Sequence, residues 1–396
     1  MKWKEYSLDE LINIKHGYAF KGEFFSEEPT DDILLTPGNF AIGGGFKAQK
    51  LKYYNGDFPV DYILDENDVI VTMTDLSKEA DTLGFSAKVP AWYGKRFLHN
   101  QRIGLVKLKT DDFDKDYLYW LMRTFSYQRF VANGATGATV KHTSPTKICQ
   151  YKFTAPDDKT TQRKIASILS AYDDLIENNL KRIKLLEEAI NLNFKDLISK
   201  EDKNFTYIKL NSFVDIISGF PFKSNYYNEN GKHKIVTIKN VQDGFFVPIV
   251  TDRIDDVPDN MNKALFLTTG DVIMSLTGNV GRVCLVYGDD YVLNQRVVKL
   301  SAKEQIDQPF IYALVRDKQM LKILENLSNG AAQQNLSPIK MGELPIRYPN
   351  KSLREDFNQK VSPMLEMICK LNIQNTKLRE ARDILLPKLM NGQIEV

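Results

Sequence analysis

The chain has 396 residues, 43% of them hydrophobic and 26% charged, which is long for one ordinary domain and excludes disordered and collagen-like classes. No apolar run approaches the roughly 18 residues of a membrane helix, and the start MKWKEYSLDEL has no hydrophobic leader, so a cytoplasmic protein away from membranes is expected. Lys and Arg number 53 against 51 Asp and Glu, and a net +2 does not by itself announce a nucleic-acid binder. Cys149, Cys284 and Cys369 form no C-x-x-C pair, which fits a reducing compartment and no cysteine zinc site.

The chain opens with LDELINIKHGYAFK at 8–21. Its Gly17-Tyr18-Ala19-Phe20-Lys21 can offer a backbone turn and a cation to phosphate; core aromatics beside a solvated lysine are an equal alternative. The run 68–72 reads as a strand and is followed by Thr72-Met73-Thr74-Asp75, whose hydroxyls suit phosphate or base edges, or a plain hairpin turn equally well. Asn100-Gln101-Arg102 opens a second strand, 103–108, and alternation would send Asn100 and Arg102 to one face and Gln101 to the other. Helical periodicity follows over 117–130. A polar loop from Gly137 to Ser144 then carries Thr139, Lys141 and His142.

From about 157 to 197 there is no glycine or proline, and apolar residues recur at steps of four and three. The series is Ile165, Leu169, Tyr172, Ile176, Asn179, Ile183, Leu186, Ile190, Asn193, Leu197. Such a heptad predicts a long helix with a coiled-coil seam.

The chain then repeats itself. LNSFVDIISGFPFK at 210–223 matches 8–21, Asp271-Val272-Ile273 matches Asp68-Val69-Ile70, and Asn294-Gln295-Arg296 matches Asn100-Gln101-Arg102. Ser337-Pro338 answers Ser144-Pro145, each seven residues after a glycine, Gly330 or Gly137. The copies keep their order, so the chain is two homologous halves. Strands are expected over 272–276 and 296–300 and a helix over 310–327. The strand-end loop of this half runs Ser275-Leu276-Thr277-Gly278-Asn279-Val280-Gly281-Arg282. A second heptad closes the chain: Phe357, Val361, Met364, Ile368, Leu371, Asn375, Leu378, Arg382, Leu385, Leu389. Pairing of the two seams is favoured over each helix packing on its own half. Pro363 and Pro387 should kink or fray the second helix, and Asn179, Asn193, Asn375 and Arg382 should set register. The fold class expected is α+β, with globular parts at 1–156 and 203–349 and long helices at 157–202 and 350–396.

The motifs of common enzymes are missing. His16, His99, His142 and His233 are scattered without H-x-x-x-H spacing, and there is no P-loop, G-x-G-x-x-G, G-x-S-x-G or N-P-P-[YF] run. Glu201-Asp202-Lys203 stands alone as a nuclease-like triplet. A binding protein with no catalytic residue, metal or cofactor of its own is expected.

Residues kept in both copies outside the apolar pattern are the best site candidates. The identical Asn-Gln-Arg triplets point to a common task, phosphate positioning or a structural network. The last loops differ: Thr139-Val140-Lys141-His142 against Ala332-Gln333-Gln334-Asn335, which suits two readers of different sequences or two variable surface loops.

Two β-rich halves, each followed by a heptad helix and carrying these loops, resemble the specificity subunit of type I restriction–modification systems over the whole chain. Gly270-Asp271-Val272-Ile273, Thr277-Gly278, Leu293-Asn294-Gln295 and Gly330 through Ser337 carry the likeness in the second half. Asp68-Val69-Ile70, Met73-Thr74-Asp75-Leu76 and Asn100-Gln101-Arg102 carry it in the first, which departs at Thr139-Val140-Lys141.

The resemblance implies two target-recognition domains on double-stranded DNA and two long helices paired antiparallel. It also implies two docked methyltransferase subunits that hold S-adenosylmethionine, and a motor-nuclease subunit in systems that cleave. DNA contacts are then expected from Lys21, Thr74, Asn100, Gln101, Arg102, Thr139 and Lys141, and from Lys223, Thr277, Asn279, Arg282, Asn294, Gln295, Arg296, Gln333, Gln334 and Asn335. Helix pairing is expected through Ile165, Leu169, Ile176, Ile183, Leu186 and Ile190 with Val361, Ile368, Leu371, Leu378 and Leu385. The residues alone leave open a recognition subunit of a related phage-defence methylation system, or a coiled-coil scaffold that binds no DNA.

If the helices set the gap between half-sites, four residues inserted after Leu186 should lengthen the recognised spacer by about one or two base pairs, since they add about 6 Å of helix. Both half-site sequences should stay the same. An unchanged spacer in a folded, active variant, read by mapping methylated adenines, would show that the helices are not the ruler.

Overall fold

A computed structural model of the chain describes residues 2–75, 77, 80–137, 139–328 and 335–396. It has two compact units: Met1–Asp174 with Arg379–Val396, and Leu175–Leu378.

In the first unit, strands Ile12–His16, Ile103–Leu108, Val69–Thr72 and Ser86–Lys88 form an antiparallel sheet in that order. A second sheet runs Phe25–Ser26, Lys52–Tyr54, Asp32–Leu34, Arg96–Leu98, Ile63–Leu64, and its Asp32–Leu34 and Arg96–Leu98 pair is parallel. Trp3–Ser7 and Lys152–Pro156 make a two-stranded ribbon. The second unit repeats this plan. Val214–Ser218, Val297–Ala302, Val272–Ser275 and Val283–Leu285 form the antiparallel sheet. His233–Val236 and Tyr291–Leu293 supply the parallel pair of its second sheet, and Phe205–Lys209 with Pro345–Pro349 the ribbon.

Each sequence-predicted single helix is two. The span 117–130 splits into Lys115–Leu121 and Phe125–Asn133, because the Thr124 side chain accepts from Tyr127 N and starts a new helix. The span 310–327 splits into Gln308–Arg316 and Lys318–Ser328, where Asp317 accepts from the Gln319 and Met320 amides. Apolar period alone does not register such caps.

The long helices run Lys159–Ile198 and Lys351–Met390, 40 residues each. The second continues as one helix through Pro363 without the fraying allowed for there; its flanks Val361 and Leu365 are buried in the second unit's core, which holds the turn. Pro387 falls in the last turn.

Within each unit the helix segments pack both on one another and on the globular part. The first unit's core joins Tyr117, Trp120 and Tyr127 to Ile165, Ala166 and Leu169 of one helix and Leu386, Leu389 and Met390 of the other. In the second, Phe310, Leu324 and Met341 meet Ile190, Phe194 and Leu197 of one helix and Phe357, Val361 and Ile368 of the other. Pairing and packing on a globular half are therefore not alternatives here. Ile176 and Leu371 are also buried, whereas Ile183, Leu186, Leu378 and Leu385 are half-buried. Within the second unit Asn179 donates to Asn375 Oδ1 at 2.9 Å and Phe194 packs on Phe357, so rising numbers on one helix meet falling numbers on the other; in the first unit Arg382 pairs with Asp173. The pairing is antiparallel. Asn193 instead donates to Ala189 O of its own helix.

A repeated Tyr-x-x-x-Arg pair ties each globular part to the first long helix. Arg123, 5% exposed, donates to Tyr119 Oη and to Asp173. In the second unit Tyr312 donates to Glu187, and Arg316 lies 3.7 Å from that carboxylate. Burial would raise the Asp173 carboxyl, but Arg123 and Arg382 outweigh it and hold it below the ordinary range. Glu187 goes the other way, because burial outweighs Arg316 and the Tyr312 hydrogen bond.

Asp173→Asn should destabilise the first unit by about 3–5 kcal/mol at neutral pH, since it leaves the buried Arg123 without its counter-charge and Arg382 with Asp383 alone. A lowered folded pKa gives stability that is present above the unfolded value, roughly pH 4, and is lost as pH falls through the folded value. The gap between parent and variant in urea unfolding should accordingly shrink under acid. An equal gap at pH 7 and pH 3 would contradict the assignment.

Candidate nucleic-acid interface

In each half the repeated motifs meet. A Cβ on Gly17 would sit 2.0 Å from Asn100 O, and one on Gly219 would sit 2.1 Å from Asn294 O. The bare glycine lets the two chains run side by side: Tyr18 N donates to His99 O and Gln101 N to Tyr18 O, as Phe220 N does to Leu293 O and Gln295 N to Phe220 O. This close approach explains why both copies keep glycine.

The Asn-Gln-Arg triplets are turns and not the start of a strand. Ile103 N donates to Asn100 O at 2.9 Å and Val297 N to Asn294 O at 3.0 Å, while Asn100 Oδ1 takes Arg102 N. Alternation therefore does not apply. Gln101 and Arg102, like Gln295 and Arg296, stand exposed together at a turn tip, whereas Asn100 is buried and Asn294 half-buried. A side chain that satisfies the local backbone competes successfully with the strand ladder. His99, fully buried, shares a 2.8 Å hydrogen bond with Ile103 O beneath the turn. Burial pushes its pKa down to about 4, so it is neutral near pH 7.

Backbone bonds extend the rim. Met73 N donates to Arg102 O and Leu276 N to Arg296 O, both at 3.0 Å. The last loop then pairs with the strand end: Lys141 lies opposite Asp75 and His142 opposite Thr74, as Asn335 lies opposite Thr277. Ser144 and Ser337 cap the short helices Pro145–Cys149 and Pro338–Gly342, so the repeated Ser-Pro is a helix start. Burial would raise the Asp75 carboxyl, but hydrogen bonds from Ser77 and Thr82 hold it below the usual range.

Lys21 and Lys223 are exposed and lead into the turns Gly22–Phe24 and Ser224–Tyr226. Thr139 is exposed, Lys141 half-buried, and Thr74 buried with its hydroxyl on His142. Among the described residues, Lys21, Arg102, Lys141, Lys223 and Arg296 form no ion pair. Thr277 and Asn279 belong to the connection between two antiparallel strands, with Gly278 and Gly281 at positive φ. Arg282 donates to Gln242 at 2.7 Å. Gln333 and Gln334 lie outside the described residues.

The structure adds residues that the motif reading passed over. Asn39 and Asn240 are buried, and each Oδ1 takes the amide and hydroxyl of a threonine three residues earlier, Thr36 or Thr237. The repeated T-x-x-N spacing was the available signal. Lys15 lies over the Tyr62 ring at 4.6 Å beside Tyr18. Among the described residues no group of His, Cys, Asp or Glu could hold a metal ion, and no helix is long and apolar enough to cross a membrane.

A family model described as the type I restriction modification DNA specificity domain matches residues 1–188 and 202–380. The chain belongs to that family, the non-catalytic specificity subunits of type I restriction–modification systems. It is 25% identical over 307 residues to the type I restriction enzyme MjaIX specificity subunit of Methanocaldococcus jannaschii, covering 71% of this chain and 69% of that protein. Against the EcoBI specificity subunit of Escherichia coli it is 22% identical over 377 residues, 87% of this chain and 76% of that one. The crystal structure of the S subunit from M. genitalium shares the fold, with a TM-score of 0.62 at 17% identity over 98% of this chain and 96% of that one.

Gly17→Ala should force backbone apart at the rim and cost the first half about 1–3 kcal/mol. Gly219→Ala should do the same in the second half. Gly22→Ala, with open space around its Cβ, should stay within about 0.5 kcal/mol of the parent. Urea unfolding of the three variants tests this, and equal stabilities would refute the close-approach argument.

Proposed function

We propose that the chain recognises a split site on double-stranded DNA, one recognition domain per half-site, within a complex whose methyltransferase subunits methylate adenine. The observation that carries this reading is the rim itself. One frame of glycine, Asn-Gln-Arg turn and strand end is built twice, while the last loop and the residues after the strand end differ in chemistry, Asp75 standing where the other copy has Gly278.

The shared parts suit a task common to both half-sites. Arg102 and Arg296 at the turn tips, with Lys21 and Lys223, present cations that would hold phosphates and fix orientation. The divergent parts suit base reading, where hydrogen-bond patterns in the major groove distinguish all four base pairs. Two docked methyltransferase subunits would bring S-adenosylmethionine and much of the phosphate binding, consistent with a chain of net charge +2. A motor-nuclease subunit would add cleavage. Recognition domains at 1–156 and 203–349 and a cytoplasmic setting complete the reading; the three cysteines are free thiols, as a reducing compartment allows.

The test is to map methylated adenines in cells carrying this chain with its methyltransferase. A single bipartite motif is expected, and methylation without one would overturn the reading. In the purified complex, Arg102→Ala and Arg296→Ala should each weaken binding on all sequences and lower the salt slope by about one. Loss confined to one base pair would instead make these arginines base readers.

A further inference from the structure

The two rims seat different side chains at one equivalent place. His142 stands opposite Thr74 and Asn335 opposite Thr277, and each lies two residues before the Ser-Pro helix start. The matching amides bond alike: Thr143 N donates to Met73 O at 3.0 Å and Leu336 N to Leu276 O at 2.9 Å. His142 is clamped on its other side too, exchanging two 2.9 Å backbone bonds with Thr136. Its ring Nδ1 lies 3.2 Å from the hydroxyl of buried Thr74, which fixes the ring. Nε2 has no partner among the described residues, and the residue is exposed, as is Asn335.

Side chains identical in both rims cannot make them read different bases; a differing side chain on the same backbone seat can. A carboxamide offers a donor and an acceptor together, the pattern that matches adenine, whereas an imidazole held through Nδ1 offers one nitrogen that donates or accepts according to its tautomer. We propose that this seat is a specificity position of each recognition domain: His142 and Asn335 contact a base edge at corresponding places in the two half-sites, and Thr74 is the positioning residue for His142. The inference rests on the reading that the rims bind DNA.

The seats can be exchanged in the full chain, co-expressed with its methyltransferase subunits, with methylated adenines mapped genome-wide. His142→Asn should lower preference for the parent base at one position of one half-site by about tenfold, leaving the other half-site and the spacer unchanged. Asn335→His should do the same in the other half-site. Thr74→Val should blur discrimination at the His142 base pair alone, and Thr74→Ser should restore it. Thermal melting of His142→Asn and His142→Ala checks that both fold like the parent. An unchanged motif in both folded variants, or equal loss on all sequences, overturns the seat while a parental bipartite motif leaves the broader reading standing. A parent complex with no sequence motif would overturn the broader reading itself.

Discussion

Gly17 and Gly219 lie against the carbonyls of Asn100 and Asn294 at distances that no Cβ can occupy. That contact lets an edge loop and a turn share backbone hydrogen bonds, and the rest of each rim is attached to it in series. The turn carbonyl of Arg102 or Arg296 takes the amide at the strand end, and the strand end in turn pairs with the last loop. A side chain at either glycine would separate the first two members of that series. Removing backbone bonds from buried surroundings is costly, which makes the glycine a structural requirement and places the exposed Gln-Arg tips where they stand.

The same economy governs the helices. A helix with one apolar stripe needs a surface to cover it, and within each unit that surface comes from two sources at once. Ile165 and Leu169 share a core with Leu386 and Leu389, and also with Trp120 and Tyr127. Three of the four polar positions in the seam meet a partner across it, Asn179 with Asn375 and Arg382 with Asp173, whereas Asn193 bonds within its own helix. Buried groups of this sort add little net stability compared with an apolar pair, but an unmatched register would leave them without partners. They thereby favour the antiparallel register found.

Duplication separates what the rim must be from what it can vary. Glycine and Ser-Pro recur because backbone geometry depends on them, through a close approach and a capped helix start, and the Asn-Gln-Arg turn is closed in both copies by a backbone bond, from Ile103 to Asn100 and from Val297 to Asn294. His142 and Asn335 occupy the same backbone place, and no shared hydrogen bond requires them to be the same residue.

Much of the architecture was legible in the sequence because it depends on local pattern. The heptads announced two 40-residue helices, the short β-rich runs located strands at 103–108 and near 69–72 and 272–275, and the ordered repeats announced two copies of one α+β plan. Besides the local caps that split the two shorter helices, three things were not legible, each because contacts distant in sequence decide them. Pro363 stays within a continuous helix because Val361 and Leu365 are buried on the second unit's core. Asn100-Gln101-Arg102 forms a turn because Gly17 and Tyr18 dock against it from more than eighty residues away. His142 looked like one polar residue in a variable loop until pairing set it on Thr74. Amino-acid order determined the elements and their duplication, through local periodicity. Only the tertiary structure decided which loops meet, because that choice is made by backbone hydrogen bonds and close packing between segments whose sequences do not mention one another.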